Sequence, residues 1–271
     1  MKIVKSILIG LFALIAAILI YLVVIIFAPV LTVPKQPIPR RKKDEEEPRQ
    51  LYDVSYQLED CQAAIAYARG RDEIDPEKII IWGTSAAGGY GLTIAAEDER
   101  IAAVIAQCAG IDHEADSKLF MEREGYGYIL RLFVHAQRDK GRSRFGLSPH
   151  TIPIVGDSGT TAMLAAPGAL DGYARLMGES NTFQNEVCAR LLFMGHGRDP
   201  SEAAQDVRCP VLFLVCEQDN LTAPDSHVKA AAALADKAIV RSYPIGHFDI
   251  YEGQHFEEAV NEMLALLETV R

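Results

Sequence analysis

Three side chains that could together perform acyl-transfer chemistry each follow an apolar segment of the sequence. Ser85 comes soon after the apolar residues 79–82, Asp219 lies shortly past a second apolar run, and His247 lies in the loop after a third. A serine hydroxyl is a weak nucleophile that needs a base, and the base in turn needs an acid to orient it. Because the residues follow separate segments in the order Ser, Asp, His, we predict that they form a catalytic triad.

The residues around Ser85 are typical of a sharp turn between a strand and a helix. Such a turn needs small neighbours, and the helix that follows offers backbone N–H groups to a developing oxyanion. The usual pattern is G-x-S-x-G. Here Gly83 and Ser85 fit it, whereas Ala87 takes the last position and Gly88 follows one residue later. The alternative is that Ser85 only caps the helix, because serine is common at that position.

Several other residues could take part in such a site. Asp225 and Asp249 are alternative acids, and His255, at the start of the last helix, is a weaker alternative base. Residues 195–197, Gly-His-Gly, resemble part of an oxyanion loop but come late in the chain, so we interpret them as an ordinary loop. The remaining histidines show no metal-site spacing, and we expect no metal or organic cofactor. These histidines are His113, His135, His150, His196 and His227.

Strand and helix patterns alternate through the body of the chain. Short continuous apolar runs, typical of strands buried on both faces, separate helical patterns, which predicts an α/β fold with a parallel sheet. Residues 111–205 break this rhythm with helical pieces at 128–138 and 170–177, and predict a cap-like insertion over a pocket. The predicted strands are 78–82, 101–107, 211–216 and 238–243, and the predicted helices are 54–69, 83–96, 226–235 and 255–270.

The first fifty residues differ from the rest in hydropathy and charge. No charged residue occurs between Lys5 and Lys35, and residues 6–30 predict one transmembrane helix. A cleaved signal peptide would have a shorter apolar run, and a buried core helix would have a polar face. Residues 31–52 predict a linker rich in proline and charge. The basic residues 35–43 favour a single-pass protein with its body in the cytoplasm, and five cysteines without disulfide spacing agree.

Composition and charge exclude several classes of protein. The chain has 271 residues, of which 49% are hydrophobic and 24% charged, which excludes a largely disordered or collagen-like chain. The formal net charge is −10 and the sequence pI is about 5.2, although residues 1–50 are basic. Because phosphate binding needs clustered Lys and Arg, we expect no nucleic-acid partner. The expected partners are a small ester substrate and the lipid bilayer.

From about residue 49 onward the sequence resembles the α/β-hydrolase superfamily, in particular dienelactone-hydrolase-like and acyl-esterase serine hydrolases. The resemblance implies that Ser85 is the nucleophile, His247 the general base and then acid, and Asp219 the orienting acid. It also implies that the backbone N–H of Ala86 is one oxyanion donor. The blocks that carry the resemblance are residues 58–68, 74–79, 82–85, 209–213, 219 and 246–251.

The chain departs from this family in the segment before the turn that carries Ser85. The fold normally has four strands there, but residues 31–77 offer only a linker and one helix, so residues 53–271 predict a partial α/β-hydrolase domain. The loop that supplies the second oxyanion N–H would be missing, and the strand over 79–82 would be an apolar edge. We therefore expect a membrane-anchored serine hydrolase for carboxylic esters with impaired activity. The alternatives are a non-catalytic, membrane-tethered interaction protein and a peptidase, and the oligomeric state stays open.

Overall fold

The computed structural model of the protein describes residues 2–27, 48–178, 182–194 and 197–270, without the side chains of 2–10, 12, 13 and 25. The helices are α1 Lys2–Phe27, α2 Val54–Arg69, α3 Ala86–Glu97, α4 His113–Arg144, α5 Ala169–Met177, α6 Pro200–Ala203, α7 Pro224–Leu234 and α8 Gly253–Thr269. The strands are β1 Ile79–Thr84, β2 Ile101–Gln107, β3 Thr151–Ile152, β4 Val155–Gly156, β5 Leu164–Ala165, β6 Val187–Cys188, β7 Val211–Cys216 and β8 Ala238–Tyr243.

Four strands form one parallel sheet in the order β1-β2-β7-β8. Helices α3 and α7 pack on one face of this sheet, around Phe213 and Leu92, and α8 packs on the other face, around Leu212. The predicted strands 101–107, 211–216 and 238–243 are confirmed to the residue, and β1 continues through Gly83 and Thr84. The carboxyl ends of all four strands therefore meet at one edge, where open α/β sheets place their ligands.

Strand β1 lies at the edge of the sheet, and the prediction that this apolar run is buried on both faces is wrong. It pairs with β2, and no described strand pairs with its other side. Its isoleucines are half-buried, and Trp82 is 53% exposed. Helix α2, beside it, buries only Val54 among its residues. The exposed apolar edge that the sequence predicts is present in the described part of the chain.

The insertion after β2 builds a small core of its own. Helix α4 is much longer than the predicted helix over 128–138, and it is interrupted at Gly125, whose φ of 76° is not helical. Two-residue strand pairs, β3 with β6 and β4 with β5, pack beneath it. Tyr128 is buried there and donates to the carbonyl oxygens of Ala162 and Met163, both at 2.8 Å. This packing joins the middle of α4 to the small strands of the insertion.

The amino-terminal helix α1 meets the insertion through its last turn. Arg142 donates to the Ile26 carbonyl oxygen at 2.9 Å, and the rings of Phe27 and Phe145 lie 5.3 Å apart. Over the residues that the structure describes, no helix is long and apolar enough to cross a membrane. Residues 28–30 of the predicted span and 31–47 of the predicted linker lie outside the described residues.

Candidate active site

Ser85 occupies a strained turn between β1 and α3. Its φ of 54° and ψ of −129° are rare for any residue other than glycine, and such strain persists only where surrounding contacts impose it. The Ser85 N–H donates to the Gln107 carbonyl oxygen, and the Ser85 carbonyl oxygen accepts from Gly110 N–H, both at 2.9 Å. A methyl group at Gly83 would lie 2.2 Å from the Ala87 carbonyl oxygen, so the turn needs glycine there. This is the geometry of a nucleophile elbow.

The Ser85 hydroxyl does not serve as a helix cap. Its side chain makes no capping hydrogen bond, which removes the support for the alternative that this serine only starts α3. Ser85 is half-buried and lines a pocket, together with Ala86. Ala87 is exposed, so its methyl group is tolerated where the usual motif has glycine. The hydroxyl is thus presented to the pocket rather than to the helix.

Asp219 and His247 form a buried pair at the same edge of the sheet. His247 Nδ1 donates to Asp219 Oδ2 at 2.6 Å, and both side chains are almost fully buried. The other carboxylate oxygen accepts from the N–H groups of Leu221 and Thr222, at 2.7 and 2.9 Å. Burial alone would raise the pKa of Asp219, but the hydrogen bonds from His247 and from these amides hold it below its ordinary value. A charged carboxylate is therefore fixed against the imidazole.

The thiol of Cys108 is the unexpected neighbour of this pair. Cys108 follows β2 with a φ of 35° and is completely buried, and its sulfur lies within 4.8 Å of a ring nitrogen of His247. Burial opposes the charged form of His247, but the negative charges of the Cys108 thiolate and the Asp219 carboxylate outweigh it and raise the pKa of His247 to about 10. No hydrogen bond joins Ser85 to His247 within the described ranges. The structure thus brings two of the three predicted triad residues together and leaves Ser85 on the elbow, at the same edge of the sheet.

The alternative acids and base do not reach His247. Asp225 is exposed on α7, and Asp249 accepts from Gly246 N–H at 3.0 Å with its side chain 56% exposed. His255 pairs with Glu258 on α8 at 3.0 Å. Asp219 is accordingly the acid that the structure places against the histidine.

A second set of polar side chains supports the elbow from behind. Thr84 Oγ1 and Tyr251 Oη are 2.5 Å apart, and the Cys108 sulfur lies 3.4 Å from the first and 3.5 Å from the second. His227 Nε2 accepts from the Ala109 N–H at 3.0 Å. Sequence reasoning gave these residues no role at the site, because neither their types nor their spacing indicates that the ends of β1 and β2 converge with α7 and with the turn after β8.

The same residues could in principle hold a metal ion. One ligand atom each of Cys108, Asp219 and His247 lies within 4.8 Å of the others, and all three residues are buried. However, His247 Nδ1 and Asp219 Oδ2 already bind each other at 2.6 Å. We therefore interpret the cluster as a proton-transfer pair with a thiol beside it.

The pocket in front of Ser85 has a volume of about 200 Å³. Its wall is mostly apolar, with aromatic and aliphatic side chains from the insertion, from the segment before α2 and from the loop after β7. The polar side chains on the wall are Ser85, Thr93, His113, Asp116, Arg198 and Thr222, together with the hydroxyl-bearing Tyr52 and Tyr90. A largely apolar pocket with few polar groups is the usual form of a small-molecule site.

The parallel sheet, the elbow and the Asp–His pair define the class of protein: the chain belongs to the α/β-hydrolase superfamily. It is 38% identical over 226 residues to the quorum-quenching protein AidA of Acinetobacter baumannii, covering 83% of this chain and 73% of the relative. It is 27% identical over 230 residues to the polyketide transferase ATR5 of Stachybotrys chlorohalonatus, covering 82% and 73%. No protein-family model matches the chain.

Solved structures agree on the fold. The structure of DcsB in complex with its substrate analogue has a TM-score of 0.63 at 22% identity and covers 82% of this chain and 75% of that one. The α/β hydrolase GrgF from Penicillium has a TM-score of 0.62 at 21% identity and covers 82% and 74%. Together with the 38% identical relative, these structures confirm the predicted superfamily, and the related proteins named as hydrolases support a hydrolase.

Proposed function

We propose that the protein is a serine hydrolase that cleaves carboxylic esters through Ser85, His247 and Asp219. The observation that carries the proposal is the strained backbone of Ser85 on a pocket wall, at the edge of the sheet that also holds the buried His–Asp pair. Strain of this kind is kept in proteins mainly at functional sites. A serine that only started a helix would need neither a positive φ nor a free hydroxyl.

The proposed reaction proceeds through an acyl-enzyme. The Ser85 oxygen attacks the ester carbonyl carbon while His247 accepts the hydroxyl proton, and the carbonyl oxygen gains negative charge near the Ala86 N–H. His247 then donates that proton to the departing alcohol. In the second half, His247 takes a proton from water, which attacks the acyl carbon and returns Ser85 to its hydroxyl form. Asp219 stays ionised and keeps the imidazole in the required tautomer.

Two features of the site predict slow turnover. First, within the described ranges His247 is hydrogen-bonded to Asp219 beside the Cys108 sulfur and not to Ser85, so the bond through which the imidazole accepts the serine proton has still to form. Catalytic hydrogen bonds are often formed only once substrate is bound, so this geometry does not exclude the mechanism. Second, Ala86 is the one oxyanion donor that we assign among the described residues. Loss of a single such donor costs roughly 10²–10³ in rate.

The pocket favours esters with an apolar acyl or alcohol group. Tyr52, Leu58, Phe120 and Leu164 line it, and burying one such contact typically contributes about 1 kcal/mol or more to binding. A related protein is named a thiohydrolase and another a quorum-quenching protein. We therefore include thioesters and quorum-sensing signals among the substrates to be tested. A peptidase would share the same triad, and a peptide panel separates the two activities.

The direct test is covalent labelling with a fluorophosphonate, which reacts with activated serines. We expect the full chain to be labelled, Ser85→Ala to lose the label, and Ser117→Ala, an exposed serine on α4, to keep it. Hydrolysis of short-chain p-nitrophenyl esters should be lost in the same variant. Labelling that survives in Ser85→Ala, or a complete absence of labelling in the folded protein, would refute the serine mechanism.

We also propose that α1 anchors the protein in a lipid bilayer. The support is the uncharged apolar run from residue 7 to 30, and the exposed apolar side chains of its described part, such as Leu14, Leu19 and Val24. Exposed apolar surface of this extent needs a cover. In a membrane fraction washed with alkaline carbonate, the full chain should stay with the pellet, and a variant lacking residues 1–30 should be released. Release of the full chain would contradict anchoring.

Labelling of one exposed thiol can determine on which side of the membrane the body of the protein lies. Cys61 is exposed, whereas the other four cysteines are buried. A membrane-impermeant maleimide applied to intact cells should leave Cys61 unlabelled if the body lies in the cytoplasm, and should label it after lysis. Labelling of Cys61 in intact cells, lost in Cys61→Ser, would place the body outside.

The exposed edge of β1 favours a second candidate function, a non-catalytic interaction protein. Trp82 is 53% exposed on an apolar strand that has one described neighbour, and such edges tend to pair with another chain. In this role the protein would bind a partner and hydrolyse nothing. A monomeric, well-folded protein that hydrolyses esters in detergent would rule this candidate out.

A further inference from the structure

Asp116 is a carboxyl group that faces the pocket of Ser85 and has no place in the mechanism above. It lies in the first turn of α4 and lines the pocket together with Ser85 and Ala86. Its Oδ1 accepts from the Ala223 N–H at 2.7 Å. Its Oδ2 has no hydrogen-bond partner among the residues that the structure describes. One oxygen is thus held by the protein, and the other is available to a ligand.

The free oxygen faces a small gap beside the proposed oxyanion donor. A methyl group built on Gly110 would lie 3.4 Å from Asp116 Oδ2, 3.8 Å from the Ala86 Cα and 3.8 Å from a Thr222 methyl carbon. All three groups therefore border the same space, which glycine leaves empty. A substrate whose carbonyl oxygen approaches Ala86 would bring the atoms a few bonds away into contact with the Asp116 carboxyl.

The surroundings of Asp116 add no compensating positive charge. Burial raises the pKa of Asp116 to about 7, and nearby carboxylates add to this against the effect of the Ala223 N–H. In the described part of the chain, no cation forms an ion pair with Asp116. The charged and titratable groups around it are Asp112 with Lys229, Asp199 with His113, Asp219 with His247, and Arg198 with Asp206. Each positive group among them has another partner.

We propose that Asp116 is a recognition residue that accepts a hydrogen bond from a hydroxyl or N–H group close to the reacting carbonyl of the substrate. The inference rests on the proposed function, since it assigns the substrate class of the same site: acyl esters with a hydrogen-bond donor near the carbonyl, such as 3-hydroxyacyl esters. An unsubstituted acyl chain would leave the carboxyl without a partner in a mostly apolar pocket. Unpaired polar groups at a site disfavour such analogues.

The test compares ethyl 3-hydroxybutyrate with ethyl butyrate, followed by alkali uptake at constant pH. The ratio of their kcat/KM values is the readout, because titration of His247 acts on both substrates and cancels. At about pH 8.5, where Asp116 is ionised, we expect the full chain to prefer the hydroxy ester by about tenfold or more. The ratio should fall close to one in Asp116→Leu and stay unchanged in Glu114→Leu, an exposed acid on the same turn.

A second variant keeps the inference testable if Asp116→Leu does not fold. Asp116→Asn can still accept from Ala223 N–H but cannot ionise. We expect the ratio in the full chain to rise severalfold between about pH 6 and pH 8.5, because a charged acceptor binds more strongly. In Asp116→Asn the ratio should not change over this range. An unaltered ratio in both Asp116 variants, or an equal loss of activity on both esters, would overturn the inference.

Failure of the proposed function gives a different result. If the full chain hydrolyses neither ester, saturation-transfer NMR on Ser85→Ala measures binding without catalysis. Stronger binding of the hydroxy ester, lost in Ser85→Ala/Asp116→Leu, would support recognition by Asp116 while the hydrolase proposal fails. Equal binding of both esters, or binding of neither, would refute recognition by Asp116.

Discussion

Cys108→Ala should make the protein a faster hydrolase at neutral pH. The sulfur lies beside the imidazole, and the negative charge of its thiolate form is the largest of the influences that raise the pKa of His247 to about 10. At that pKa almost all of the histidine is protonated at pH 7 and cannot accept the Ser85 proton. Removing the sulfur lowers the pKa of His247 and frees the ring for Ser85. Both effects increase the fraction of competent enzyme.

The size of the effect follows from the titration of one base. Each unit by which the pKa of His247 falls raises its neutral fraction at pH 7 by about tenfold, as long as the pKa stays above 7. A drop of one unit or more therefore predicts a rise in kcat/KM of at least about tenfold. The substitution leaves a small cavity at a fully buried position, which costs about 1 kcal/mol of stability.

The assay is the pH profile of kcat/KM for a p-nitrophenyl ester between about pH 5.5 and pH 10. We expect the acidic limb to move to lower pH in Cys108→Ala, and thermal unfolding to verify that the variant is folded. Cys209→Ala is the matched control. This thiol is also buried, but it lies before the amino end of β7, whereas Cys108 lies near the carboxyl ends of β2 and β7. An unmoved limb would refute the influence of the thiol on His247. Loss of all activity in folded Cys108→Ala would indicate that Cys108, not Ser85, is the nucleophile.

Three further predictions concern the groups around the site. Asp219→Asn should lower kcat by about 10³–10⁴, because the imidazole loses its charged partner and is no longer held in the required tautomer. The control Asp249→Asn should keep kcat within about threefold. Equal effects of the two substitutions would reject Asp219 as the orienting acid. Tyr251→Phe removes the hydroxyl that binds Thr84 and should reduce kcat by about tenfold with little change in KM, whereas a change in KM alone would give the tyrosine a substrate-binding role. Trp82 is the single tryptophan, so its fluorescence reports on the exposed edge of β1. In dilute detergent solution its emission should resemble that of indole in water, and it should shift to shorter wavelength as the protein self-associates. Emission at short wavelength from a monomer would show that the edge is covered.

The sequence predicts the sheet and the residues at its carboxyl edge well. Strands β2, β7 and β8 are short continuous apolar runs bounded by turn residues, so their limits can be read directly. Asp219 and His247 follow from these limits, because parallel strand ends meet on one side. The structure places the two side chains in contact, with His247 Nδ1 at 2.6 Å from Asp219 Oδ2.

Other features of the site depend on how separate elements align in three dimensions, and a single sequence does not predict that alignment. Cys108 reaches His247 only because β2 pairs with β7 so that Gln107 lies opposite Leu214, which sets the thiol beside the histidine loop. Asp116 enters the pocket because α4 starts at His113 and Ala223 binds its carboxyl. From sequence alone, a cysteine beside apolar residues is expected to be a core residue. An acid in the first turn of a helix is expected there because it interacts favourably with the helix dipole.

The insertion was the least predictable region. The predicted helix over 128–138 is only the middle of a 32-residue element that continues past a break at Gly125. Glycine normally lowers a helix prediction, and here a kink at Gly125 separates two helical halves, of which Tyr128 anchors the second by two hydrogen bonds. The two-residue strands beneath it are too short for any periodicity to identify.

Mass spectrometry of the protein after fluorophosphonate treatment is the most direct test of the central claim. The site predicts a single phosphonate adduct on the peptide that contains Ser85, formed faster in Cys108→Ala and absent in Ser85→Ala. An adduct on another serine, on Cys108, or on no residue of the folded protein would contradict a Ser85 nucleophile served by His247.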